Sequence, residues 1–108
     1  MIKKVLAIIL LLVLLLAVGM AEDRNLEIRI EIIKPPVIYE GDEIILYPIL
    51  IGNWEGLTYT YQWEYSKDGI EYFPIPDATN ECYVFYASKE TLKLWYRLAI
   101  TIPDELLQ

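Results

Sequence analysis

Sixteen carboxylates, one thiol and no histidine are what this 108-residue chain offers for chemistry. Without imidazole there is no His-based general acid–base pair and no triad. Cys82 has no neighbour to draw off its proton and sits in an aromatic stretch, CYVFY, so it reads as structural or incidental. A zinc site needs several Cys or His ligands, which are lacking, and no glycine-rich phosphate loop occurs. Two carboxylate arrangements could still act. Glu64 and Glu71 could face each other across a hairpin as a glycosidase pair, but a flat strand surface gives them no cleft. Glu40, Asp42 and Glu43 could offer oxygens to calcium, but without the Asp-rich loop spacing that such a site uses. The expectation is a protein that is not an enzyme and carries no cofactor or metal.

Aromatic residues are the richer material. Trp54, Trp95, Tyr72 and Tyr86 form a candidate binding surface, with Tyr47 beside them as a further exposed ring. Flat rings stack on sugars and anchor protein interfaces. The plainer reading is that they cover sheet edges or pack against a neighbouring domain. The net charge of −7 repels phosphate backbones, so nucleic acid is not an expected partner. A protein or a glycan fits better. The acidic residues are scattered, as on a solvated surface.

The elements that must position these residues begin after residue 21. MIKKVLAIILLLVLLLAVGMA has a basic start at Lys3 and Lys4, an unbroken apolar run, and small residues before a cut at Ala21. That is the pattern of a secretory signal helix. The alternative is an uncleaved anchor, at the short limit of about 17–25 residues for a spanning helix. Either way residues 22–108 are expected outside, secreted or on the extracellular face of the membrane, with lysines kept inside. The membrane enters only through the N-terminal segment if it is not cleaved.

Residues 22–108 alternate apolar and polar with period two, the signature of half-buried strands. Six strands are expected, at 26–33, 42–51, 57–66, 70–73, 82–86 and 92–102. Pro48 inside the second demands an edge, a bulge or a break. Ser66-Lys67-Asp68-Gly69 is a hairpin signal, and 87–92 is a polar corner. In LTYTYQWEY, Tyr59, Tyr61, Trp63 and Tyr65 share one face. Trp63 between Tyr61 and Tyr65 can fill the roughly 10 Å gap between two packed sheets. The expected core is Trp63, Tyr61, Leu46, Phe85, Tyr96 and Leu98. Strands 26–33, 42–51 and 82–86 are expected in one sheet, the other strands in a second. With one cysteine, no internal disulfide supports the core.

Four pieces of this stretch resemble an immunoglobulin-like domain, of the divergent kind found in bacterial extracellular and cell-surface proteins. Gly41-Asp42 followed by Ile44 and Leu46 is similar to the entry to strand B. YQWEYSKDG, 61–69, resembles strand C with its central tryptophan and hairpin. Asp77-Ala78-Thr79 leading to Tyr83 and Phe85 is similar to the approach to strand E. Tyr96-Arg97-Leu98 resembles the start of strand F, where the family places a tyrosine whose hydroxyl bonds back to the preceding corner. The resemblance implies that Tyr96 reaches the 87–92 segment. It also implies that Pro48 and Leu98 hold the two disulfide positions, so the inter-sheet bridge is lost. Strand G departs from the pattern, since PDELLQ is too short and polar to supply it. The implied role is a noncatalytic module for adhesion, recognition or spacing. Two alternatives stand beside it: a carbohydrate-binding module using Trp and Tyr, and a domain whose missing strand comes from a partner.

Overall fold

The structure, a computed structural model, describes the backbone of Leu11–Leu15 and residues 24–103. Seven strands run β1 (Leu11–Leu15), β2 (Glu27–Ile33), β3 (Glu43–Ile51), β4 (Thr60–Ser66), β5 (Phe73–Pro74), β6 (Tyr83–Tyr86) and β7 (Trp95–Thr101). The described chain is all-β, with one 3-10 turn at Thr91–Lys93. Among the described residues no helix is long and apolar enough to cross a membrane.

Two sheets result. One is antiparallel in the order β2-β3-β6. The other runs β1-β7-β4-β5, antiparallel except that β1 lies parallel to β7. The period-two pattern explains the layering. Ile28 from β2, Ile44 and Leu46 from β3, and Phe85 from β6 face Trp63 from β4 and Tyr96, Leu98 and Ile100 from β7 in one buried cluster. Charged Glu27, Arg29 and Glu31 alternate outward on β2. Stacked rings cross the layer: Phe85 on Tyr96 at 4.9 Å and Tyr83 on Trp63 at 6.3 Å between centroids. A fully buried tryptophan contributes on the order of 3–5 kcal/mol, judged by truncation to alanine.

The structure revises three expectations. The return strand of the hairpin, expected over 70–73, is only Phe73–Pro74, and Ile70 is 84% exposed. The reason is local. Asp68 Oδ1 accepts the amides of Ile70 and Glu71, and Ser66 Oγ accepts those of Asp68 and Gly69. Side chains thus take the donors that a strand ladder would need. Pro48 does not break its strand, because β6 pairs only with Glu43–Leu46. Past that point β3 is flanked by β2 alone, so a residue without an amide donor costs the β3–β6 ladder nothing.

The third revision concerns the N-terminal segment. A signal helix was expected over 1–21, and of that span Leu11–Leu15 is described, as extended strand. These five residues pair parallel with residues 96–100 of β7. The rest of the 1–21 span, and the DELLQ end of the segment read as too short for strand G, lie outside the described residues.

Candidate functional site

The corner leading into β7 is closed by a single bond. Tyr96 Oη donates to the Thr91 carbonyl at 2.8 Å, within the 87–92 segment. Thr91 Oγ1 and Ser88 Oγ hold the turn from within. Burial, then proximity to Tyr83, pushes the Tyr96 phenol well above its ordinary range, so it stays a donor at any physiological pH. Trp63, with no exposure, spends its indole N–H on the Asn80 carbonyl at 3.0 Å. Of the other expected core residues, Leu46, Phe85 and Leu98 are buried and Tyr61 is half-buried. Burial first, then Tyr59 beside it, raises the Tyr61 phenol to about 12.

The outer face of the β7-β4-β5 sheet is occupied by its own side chains. Arg97 pairs with the Glu64 carboxylate and lies 4.2 Å above the Tyr72 ring. Tyr72 Oη is buried without a hydrogen-bond partner. The indole of Trp95 covers Gly69, whose positive φ of 77° puts a hypothetical Cβ only 3.1 Å from that ring. Gln62 spends its amide N–H groups on carbonyls, including Ile75 O at 3.0 Å. That bond ties the connection 75–78 to β4, supported by Trp63 N to Ala78 O and Ile75 N to Trp63 O. Ala99, opposite Gln62 on β7, is 3% exposed. Sequence reasoning missed Gln62; a polar residue beside a core tryptophan and before a Pro-rich connection was its only signal.

The candidate binding rings are dispersed. Trp54 donates to the Ile51 carbonyl at 2.8 Å and meets Tyr59 edge-on at 5.2 Å. Trp95 is held on Gly69 and Tyr72 lies under Arg97. Tyr86 is broadly exposed, at 62%, and lies on the opposite sheet. No shared aromatic platform is formed by these four.

The outer face of the β2-β3-β6 sheet differs. Ile33, Ile45 and Val84 stand in register across the three strands, with Ile33 53% and Val84 44% exposed. Ile49, opposite Arg29, and Tyr86, opposite Glu43, are also exposed on this face. A cleft of about 220 Å³ lies elsewhere, lined by Tyr65, Ile75, Tyr83, Thr91, Leu94 and Tyr96. Its phenols stay neutral through burial at Tyr83 and Tyr96, and it contains neither a nucleophile–base pair nor a carboxylate.

Two of the carboxylates considered for chemistry are engaged within the chain. Glu64 pairs with Arg97 rather than facing Glu71. Asp42 Oδ2 accepts the Tyr39 amide at 2.8 Å. Asp68, capping the hairpin loop, is lowered to about 2 by the amides of Glu71 and Ile70 and by the Ser66 hydroxyl. Among the described residues no group of His, Cys, Asp and Glu is placed to hold a metal ion. Cys82 is a free, exposed thiol. In comparisons with protein families, curated proteins and solved structures, nothing matches this chain.

Proposed function

We propose that the chain is a noncatalytic immunoglobulin-like module, secreted or displayed on the extracellular face of the membrane, that serves adhesion, recognition or spacing. One observation carries the reading: the Tyr96–Thr91 bond closes the corner into β7 immediately beside a tryptophan sealed between the two sheets. The strand order supports it. With β2 as A, β3 as B, β6 as E, β4 as C, β5 as C′ and β7 as F, the two sheets read A-B-E and F-C-C′. Leu98 stands at the position of the second cysteine and Pro48 at that of the first, and both are buried. The step from fold to role is by analogy, since sandwiches carry many roles.

The bare aliphatic face of β2-β3-β6 supports contact with protein surfaces over contact with sugars, whose platforms are spent on internal packing. A second reading, a domain completed by a strand from a partner, draws on the pairing of β1 with β7.

Cys82 supplies the test of location. It is the only cysteine and it is exposed. In intact cells expressing the full chain, a membrane-impermeant maleimide labels Cys82 if the domain is outside. Labelling that appears only after lysis contradicts the reading.

A further inference from the structure

Strand β7 has two flanks among the described residues. On one, β4 runs antiparallel over seven register pairs, from Thr60↔Thr101 to Ser66↔Trp95. On the other, β1 runs parallel over five, from Leu11↔Tyr96 to Leu15↔Ile100. β2 stays with β3 in the opposite sheet. The second flank of β7 therefore takes an apolar segment that sequence assigns to export.

The register shows what that flank selects. Tyr96, Leu98 and Ile100 are buried core residues, so this side of β7 is a rim of the core. They are the register partners of residues 11, 13 and 15. A strand seated here covers the rim if it is apolar at those alternate positions. The positions between them lie opposite Arg97 and Ala99, on the outer face. Arg97 is already neutralised by Glu64, so it selects no charge there.

We propose that this second flank of β7 is a strand-acceptor site. In the full chain β1 holds the site. Once the N-terminal segment is removed, the site takes an extended segment of another polypeptide. That segment runs parallel to β7 and is apolar at alternate positions over five residues. Main-chain hydrogen bonds supply affinity and the alternate apolar residues supply selectivity. The proposal rests on reading residues 1–21 as a segment removed on export.

The test uses the full chain with a protease site placed after Ala21, cut after folding, with folding followed by the emission of buried Trp63. Two labelled probes, each flanked by lysines, carry residues 11–15. One has Leu12→Ser and Leu14→Ser; the other has Leu11→Ser, Val13→Ser and Leu15→Ser. The first is expected to bind the cut chain at least about fivefold more tightly by fluorescence anisotropy, since it keeps three apolar residues against the rim. Equal binding, or no binding to the folded chain, overturns the proposal.

A second measurement avoids cutting. In a Cys82→Ser background, Leu14→Cys with Ala99→Cys is expected to form a disulfide, because register partners lie about 4.8 Å apart. Leu12→Cys with Ala99→Cys is expected not to form one. No 14–99 disulfide, or 12–99 forming as fast as 14–99, overturns the proposal. Failure here is separable from failure of the functional reading. Cys82 labelled on intact cells without probe binding removes the acceptor site and leaves the surface module standing. Cys82 shielded until lysis, with probe binding intact, does the reverse.

Discussion

The two outer faces of this sandwich-like unit are built from the same alternation and end in opposite states. On β7-β4-β5, each large or charged side chain has met another: Arg97 sits between Glu64 and Tyr72, Trp95 covers Gly69, and Gln62 ties down the connection 75–78. On β2-β3-β6, Ile33 and Val84 flank Ile45 in register and are 53% and 44% exposed. Polar and aromatic groups satisfy one another at short range and so close a face, whereas aliphatic groups on an open sheet can only be covered by another surface. The contrast moves the expected contact region away from the tryptophans and onto plain aliphatic strands.

The largest expected effect lies on the closed face. Arg97→Ala leaves the Glu64 carboxylate half-buried without its partner and uncovers the Tyr72 ring, and should cost about 2–3 kcal/mol in urea unfolding. A loss within error would show that this face is less interlocked than its geometry implies. Gly69→Ala comes next, at about 1–2 kcal/mol, since an L-residue is strained at positive φ and its Cβ presses on the Trp95 indole. Trp95→Ala in the same chain should remove the crowding part of that cost and leave the backbone part.

The hairpin loop beneath that face should show itself in pH. Asp68 is held at about 2 against 3.8, so its contribution is present above pH 3.8 and is lost as pH falls toward 2. The acid limb of the unfolding curve should flatten in Asp68→Asn, and an unchanged limb would place the acid sensitivity elsewhere. Tyr61 and Tyr96 have the opposite sign. Their phenols are raised, so their contribution is present below pH 10 and fades as pH climbs above it. The smallest effect belongs to the open face: Val84→Lys should change stability by no more than about 0.5 kcal/mol, because this side chain already reaches solvent and a lysine there can keep its ammonium in water. A larger loss in the isolated protein would mean that the face is already covered.

How far the sequence could be read depended on how local the determinants were. Alternation is local, and it located the all-β architecture, the two sheets and the placement of Trp63 without help from coordinates. The hairpin forms, but its return strand starts later than alternation suggests, because the Asp68 carboxylate takes the amides of Ile70 and Glu71 ahead of a strand partner. Composition leaves open whether Trp54 and Trp95 bind a partner or pack internally; the structure shows that one meets Tyr59 and the other Gly69. The bare row of Ile33, Ile45 and Val84 was hidden for a related reason. Each residue belongs to a different strand, and only the register puts them side by side. The parallel seat of β1 depends on which flank of β7 is left unpaired by β4, a property of the assembled sheet.

Residue-resolved amide hydrogen exchange on the full chain, before and after cutting at Ala21, is the most direct test. β7 amides that point away from β4 should be protected before the cut, lose protection after it, and regain it when the alternating probe is added. The amides of β3 and β4 should be unmoved throughout. Protection along β7 that does not change on cutting would contradict the account, because its second flank would then owe nothing to the strand seated on it.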